Sequence, residues 1–153
     1  MPKSVDIFLI ALSSPLQIGV YEDSKLIKTI KSEEKSSDVL PKIYDQLLKD
    51  YDVKKLLYVN GPGSFMAIKI AYIFLKSLSI LKNIPLYATD AFKFNNNEPI
   101  KAIGKLHFVK ISQEIKTQKL ERVSEADFTL PVILDYNEFS KNTTPLYGIG
   151  AVG

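Results

Sequence analysis

The chain has 153 residues, of which 46% are hydrophobic and 24% are charged, as expected for a globular protein with one core and at most a small appendage. Its 20 basic and 17 acidic residues give a net charge of +3, and the basic ones are spread along the chain, which does not favour a dedicated nucleic-acid-binding protein. The absence of cysteine excludes disulfides, thiolate metal sites and a cysteine nucleophile. We expect a cytoplasmic protein, because the first residues do not resemble a secretory signal and the most apolar stretch, residues 64–81, contains two lysines and is too short for a membrane span.

Three strands are predicted at the start of the chain. Residues 5–10 form an apolar run of strand length, and residues 16–22 alternate between apolar and polar side chains. The polar residues 22–25 separate them from a third strand at residues 26–30, which is typical of a hairpin. The three strands should therefore form an antiparallel meander.

The next pattern predicts a helix over about residues 37–51. Apolar residues recur there at helical spacing, with polar residues on the opposite face. Ser36 and Ser37 are candidate N-caps, and Pro41 lies in the first turn, where its missing N–H is tolerated.

A second strand–helix–strand unit follows. Residues 55–59 predict a short strand, residues 60–63 a sharp turn, and residues 64–82 a helix capped by Ser64. This helix is apolar on most of its surface, so it must be covered on most sides. Another strand is predicted at residues 84–88.

This order of elements, βββαβαβ, predicts an RNase H-like α/β fold, the half-domain that also builds the actin-like ATPases. We assign residues 1–92 to this N-terminal lobe. Residues 93–153 begin with a polar, asparagine-rich segment and show only weak patterns, including a strand-like run at 106–111. They are predicted to form a reduced C-terminal lobe.

The loop formed by Gly61, Pro62, Gly63 and Ser64 is the most specific segment of the sequence. The two glycines permit a tight turn and the close approach of another backbone, and Pro62 stiffens the turn. The free N–H groups at the start of the following helix could hold an anion such as phosphate. A strand-to-helix connection that simply needs glycines explains the same residues, and we prefer that interpretation.

Residues 59–92 resemble the signature region of the TsaB (YeaZ) family, bacterial partner proteins in making threonylcarbamoyladenosine on tRNA. The matching residues are Gly61 to Phe65, the Lys69-Ile70 pair, Lys76 and Ile84-Pro85-Leu86. The resemblance implies a non-catalytic subunit that forms a heterodimer with a TsaD-like paralogue and supports modification of position 37 of tRNA. It also implies a TsaE-like ATPase as a further partner, a possible homodimer when the chain is alone, and only indirect contact with tRNA.

Two departures from the family pattern concern catalysis. The family usually carries Asp-Thr-Ser after the first strand, where this chain has Ala11-Leu12-Ser13-Ser14, and Met66-Ala67 replaces Thr-Gly. His107 is the sole histidine in the sequence, so a His-x-x-x-His metal pair is impossible, and its alternating apolar surroundings are typical of a strand residue. We expect no catalytic residues, no metal site and no cofactor.

The two predicted helices carry more apolar surface than one sheet can cover, and surplus apolar surface marks partner sites. The sequence does not establish which of their residues face inward. Two alternatives stay open: a self-standing nucleotide-binding protein of the actin-like class, with ATP near residues 61–64, and a homodimeric structural module that pairs the same helices with themselves. The candidate partner-interface residues are Val39, Leu40, Ile43, Leu47, Ile70, Phe74 and Leu78.

Overall fold

The computed structural model describes residues 2–122 and 127–147. These residues form two α-helices and eight β-strands, with short 3-10 helices at Ala91–Phe94 and Tyr136–Glu138. Among the described helices, none is both long and apolar enough to cross a membrane. The elements are β1 Ser4–Ile10, β2 Leu16–Glu22, β3 Lys25–Ser32, α1 Ser36–Asp50, β4 Asp52–Val59, α2 Phe65–Lys82, β5 Leu86–Thr89, β6 Ile100–Ile103, β7 Leu106–Ile111 and β8 Glu114–Lys119.

The first five strands form one mixed sheet in the order β3-β2-β1-β4-β5. Strands β1, β2 and β3 form the expected antiparallel meander, while β4 pairs parallel to β1 and β5 pairs parallel to β4. Ile7 at the centre of β1 aligns with Val20 of β2 and Leu56 of β4. The sheet therefore combines the predicted antiparallel meander with parallel strand–helix–strand units, as in the predicted RNase H-like fold.

Strand β1 is a continuous apolar run because both of its faces are covered. Val5, Ile7 and Leu9 point into a core cluster shared with the inner faces of α1 and α2. Phe8 and Ile10 point into a second cluster on the opposite face of the sheet.

The C-terminal region covers that opposite face. Strands β6, β7 and β8 form a separate antiparallel sheet, and the ring of Phe8 lies 5.0 Å from Phe94 and 5.4 Å from Phe139. Residues on both sides of the lobe boundary expected at position 92 thus build one cluster, and the division into lobes stays a prediction. The C-terminal members of this cluster are Ile100, Phe108, Phe128, Leu130 and Leu134.

Several local expectations need correction. Neither Ser36 nor Ser37 caps α1: the N-cap is Lys35, which makes no side-chain capping bond, because both serines already lie inside the helix. Strand β5 begins later than expected, since α2 ends in a left-handed Asn83 and the N–H of Ile84 donates to the carbonyl of Ser79. Strands β6 and β8 were not predicted from the sequence.

Candidate partner interface

One face of α2 packs against the sheet and the opposite face is exposed. Ile68, Ala71 and Leu75 are at most 2% exposed. On the other side, Met66, Ile73 and Ile80 are 63%, 52% and 70% exposed. These three residues are seven positions apart and align along the helix, and we call them, with the adjoining Ile70 and Ser77, the outer stripe.

The outer stripe has the spacing of a helix-pairing seam. Its five positions, 66, 70, 73, 77 and 80, alternate steps of four and three residues, which is the pattern by which one helix packs along another. The exposed Lys69 and Lys76 border it on one side. On its other side the apolar surface continues through Phe74, whose ring lies 5.2 Å from the ring of Tyr44 in α1.

The outward face of α1 is different, because it is charged. Asp38, Lys42, Asp45 and Lys49 are all exposed there, and Lys49 forms a 3.1 Å ion pair with Asp45 one helical turn away. The surplus apolar surface that the sequence suggested for both helices is therefore confined to α2.

Three of the candidate interface residues on α1 lie in the core. Val39, Leu40 and Leu47 are 6%, 0% and 2% exposed and pack between α1 and the sheet. Burial within the chain removes them from the surface that a partner could contact, which corrects their assignment to the interface.

The other four candidates are half-buried. Ile43, Phe74 and Leu78 pack against the first core cluster while keeping part of their surface open, and Ile70 belongs to the outer stripe. Whether any of them contacts a partner stays a prediction.

The most exposed apolar residues of α2 were absent from the candidate set. Met66, Ile73, Ile80 and the 79%-exposed Leu81 are more open than any residue selected from the sequence. The sequence did contain a signal for them. Met66, Ile73 and Ile80 are spaced seven residues apart, and only one face of α2 can pack against the sheet.

The glycine loop before α2 is in contact with the chain's own tail. The N–H of Leu146 donates to the carbonyl of Asn60 at 2.7 Å, and the amide group of Asn60 donates to the carbonyl of Thr144 at 2.9 Å. A Cβ atom at Gly61, where φ is +118°, would lie 2.2 Å from the carbonyl oxygen of Leu146. The close approach of another backbone expected at this glycine is thus made by residues 143–147.

The same tail reaches the start of the outer stripe. The ring of Tyr147 stacks on the ring of Phe65, the first residue of α2, with centroids 4.3 Å apart and planes 13° from parallel. Below them the hydroxyl of Tyr58 donates to the carbonyl of Thr143 at 2.5 Å, and burial raises the pKa of Tyr58. The start of α2 is held in place from within the chain.

A groove of about 410 Å³ opens beside the start of α2. The carboxylates of Glu33 and Glu34 and the ammonium of Lys35 border it, so its nearby charge is net negative and disfavours phosphate. Ser64 accepts a hydrogen bond from the N–H of Ala67 at 3.4 Å, which occupies one of the groups an anion would use. The other residues that line the groove include Ala11, Leu12, Ser13, Ser14 and Ser36.

The titratable groups do not assemble into a metal site in the part of the chain that the structure describes, where no three His, Asp or Glu side chains come together. His107 lies in β7, as expected, and is completely buried, with Nδ1 2.7 Å from the carbonyl oxygen of Lys105.

Comparison with known proteins shows which solved structures share this fold. No protein-family model matches the chain, and no curated protein matches it. A solved structure of an uncharacterised protein described as similar to the peptidase YeaZ from Pseudomonas aeruginosa aligns with a TM-score of 0.58 at 16% identity, covering 80% of this chain and 69% of that one. The fold is RNase H-like. A structure of YeaZ from Pseudomonas aeruginosa aligns with a TM-score of 0.55 at 15% identity, covering 80% of this chain and 70% of that one. At these identities the likeness establishes the fold, and it confirms the fold class predicted from the sequence.

Proposed function

We propose that the chain is a TsaB-like accessory subunit. It binds a TsaD-type enzyme through the outer stripe of α2 and supports formation of N6-threonylcarbamoyladenosine at position 37 of tRNA, with no catalysis of its own. A TsaE-like ATPase would be a further partner. The observation that carries the proposal is the exposed apolar stripe on α2, and the 61–65 sequence block and the YeaZ-like fold support it.

The stripe suits a helix as its partner. Met66, Ile73 and Ile80 are each at least half exposed, so covering them would remove most of their apolar surface from water. At about 25 cal/mol per Å² this contributes roughly 1 kcal/mol or more for each side chain. A straight row with alternating four- and three-residue steps is matched by another helix better than by a loop.

The charges beside the outer stripe indicate which side chains a partner helix should present there. Lys69 and Lys76 are exposed along one border, seven residues apart. A partner helix with Asp or Glu facing that border would gain attraction and register, as charged flanks do in paired helices. The proposed partner surface is therefore an apolar helix row flanked by carboxylates.

Co-expression and co-purification with a TsaD homologue tests the proposal. The wild-type chain should be retained at micromolar concentration, and Ile73→Glu with Ile80→Glu should reduce retention at least tenfold, because two carboxylates would be buried against apolar surface. Val132→Glu with Ile133→Glu is the matched control, since these residues are 72% and 65% exposed beside β3 and away from α2. Absence of any wild-type complex would count decisively against the proposal.

A homodimer remains the second candidate, because the outer stripe could also pair with a copy of itself. Light scattering of the isolated chain separates the two. A dimer that persists unchanged when the TsaD homologue is added would favour the structural module. A dimer or monomer that converts to a heterodimer supports the accessory subunit. Calorimetry with ATP tests the nucleotide-binding alternative, which the carboxylates of Glu33 and Glu34 disfavour.

A further inference from the structure

The net positive charge of this protein comes from one segment, although basic residues occur along the whole chain. Residues 93–122 contain seven Lys or Arg and three Glu, a net charge of +4. Since the whole chain carries +3, all other residues together carry −1. This segment comprises the small sheet of β6, β7 and β8 and the turns around it.

Four of these cations lie at or next to the end of the small sheet that carries the turn between β6 and β7. Lys105 lies in the turn between β6 and β7, and its carbonyl accepts a hydrogen bond from the N–H of Leu120 at 2.9 Å. Lys119 ends β8 opposite Leu106, the residue that follows Lys105. Lys101 on β6 and Arg122 just beyond β8 lie near the same end; the strand register places Lys101 on the face of His107 and Gln118, and Lys119 on the opposite face. The exposed carboxylate of Glu121 lies between Lys119 and Arg122 in the chain, so the net charge of this end is +3. We call its exposed cations the basic corner: Lys101, Lys105, Lys119 and Arg122.

The basic corner differs from the remaining cations of the segment in its partners. Lys110 forms a 2.6 Å ion pair with Asp90, Lys116 a 3.3 Å pair with Glu114, and Lys93 a 3.8 Å pair with Glu138. Within residues 2–122 and 127–147, no carboxylate lies within 4.0 Å of a charged nitrogen of the basic corner. The like charges of these four side chains are therefore available to a polyanion.

We propose that the basic corner binds the phosphate backbone of RNA. Lysine and arginine contacts to phosphate supply most of the sequence-independent affinity for nucleic acids. The exposed Thr117 and Gln118 on β8 add hydrogen-bonding groups that can contact phosphate or ribose. The charge distribution is compatible with any polyanion, and the choice of RNA rests on the proposed function in tRNA modification. Direct contact at the basic corner goes beyond the indirect contact with tRNA that the family resemblance implies.

The position of the basic corner is compatible with a bound partner enzyme. The small sheet packs through Phe108 on the face of the large sheet opposite α1 and α2. The outer stripe and the basic corner therefore lie on different sides of the large sheet, so a partner on α2 would leave the corner open to tRNA.

Fluorescence anisotropy of labelled bulk tRNA with the full chain, at 50, 100 and 200 mM salt, tests the inference. With three or four phosphate contacts, the logarithm of the association constant should fall against the logarithm of salt concentration with a slope of about −2 to −4. Lys101→Glu, Lys105→Glu and Lys119→Glu together should weaken binding at least tenfold. The control, Lys28→Glu, Lys31→Glu and Lys42→Glu, changes the net charge equally at exposed sites on β3 and α1 and should weaken binding less than threefold.

Equal losses in the two triple variants would overturn the inference, since net charge alone would then explain binding. Binding to vesicles containing anionic lipid, with none to tRNA, would also overturn it and would indicate a membrane surface instead. The same variants, co-purified with the TsaD homologue, separate this inference from the proposed function. Retained complex with lost tRNA binding supports both, while lost wild-type complex with retained tRNA binding contradicts only the proposed function.

Discussion

The two helices lie in the same layer on the same sheet, yet their outward faces differ. On α1 the outward positions carry charged side chains that suit contact with water, namely Asp38, Lys42, Asp45 and Lys49. On α2 the outward positions carry the outer stripe, in which Ile73 and Ile80 are more than half exposed. One helix of the layer thus presents charged side chains to solvent, whereas its neighbour presents apolar side chains, and the proposed partner would cover the apolar ones.

The starts of the two helices differ as well. Lys35, the N-cap of α1, makes no side-chain capping bond. The side chain of Ser64 caps α2, and the tail at residues 143–147 packs on the preceding loop. The helix with the exposed apolar face is thus the one whose start is fixed by several contacts, as a preorganised docking surface would be.

The largest expected effect concerns the inner faces, where the helices should behave alike. Leu75→Ala in α2 and Leu47→Ala in α1 each remove a side chain that is at most 2% exposed. Each should lower the free energy of unfolding by about 2–5 kcal/mol, from lost burial and the cavity left behind. Urea denaturation measures this, and a loss below about 1 kcal/mol for either variant would show that its helix is not packed as described.

The next effect concerns the start of α2. Gly61→Ala places a Cβ 2.2 Å from a backbone oxygen at a φ of +118°, and should cost about 2–4 kcal/mol. Gly104→Ala is the matched control, because its φ is also positive, at +57°, but nothing lies within 4 Å of the added atom. The control should cost about 1 kcal/mol. Similar losses in the two variants would mean that the tail does not pack on the loop.

A smaller effect is expected at Tyr44 on the inner face of α1. Within the described part of the chain its buried hydroxyl has no hydrogen-bond partner, so Tyr44→Phe should leave stability at pH 7 unchanged or raise it by up to about 1 kcal/mol. Burial also raises the pKa of this hydroxyl above the usual value of about 10. The folded chain therefore keeps a proton that the unfolded chain loses, and stability should fall as the pH rises above about 10.

Urea denaturation at pH 7 and at pH 11 checks both expectations. The free energy of unfolding should decrease less from pH 7 to pH 11 in Tyr44→Phe than in the wild type, since one of the buried tyrosines no longer contributes to the decrease. Tyr21 and Tyr58 also have raised pKa values and should sustain the remaining decrease. An unchanged decrease would indicate that Tyr44 is accessible to water.

The smallest effect on stability is expected on the outward faces. Ile73→Ala on α2 and Asp45→Ala on α1 should each change the free energy of unfolding of the isolated chain by less than about 0.5 kcal/mol. The two variants should differ in their affinity for a TsaD homologue, because only Ile73→Ala should weaken the complex measurably in calorimetry. Equal affinities would remove the distinction between the two faces.

The sequence was sufficient for the large sheet and both helices because each has a strong periodic signal. The apolar run of β1, the alternation in β2 and the cap at Ser64 all determine structure locally. It was insufficient for β6, which is only four residues long, and for β8, which is largely polar, and both of these strands pair with β7. Such strands are specified by their neighbours rather than by their own pattern.

The site was less predictable because burial depends on which side of a helix meets the sheet. Helix α2 is apolar almost all round, so its sequence alone did not distinguish Leu75, which is buried, from Ile73, which is exposed. The partner of the Gly61 loop also lay out of reach, since Leu146 is 85 residues away in the chain. Long-range packing decides both points.

Hydrogen exchange of the isolated chain and of its complex with a TsaD homologue tests the outer stripe most directly. We expect slower exchange in residues 65–82 of the complex, with little change in β6, β7 and β8, because the outer stripe of α2 is the proposed docking surface. Protection confined to the small sheet, with α2 unchanged, would contradict the assignment of α2 as the docking helix.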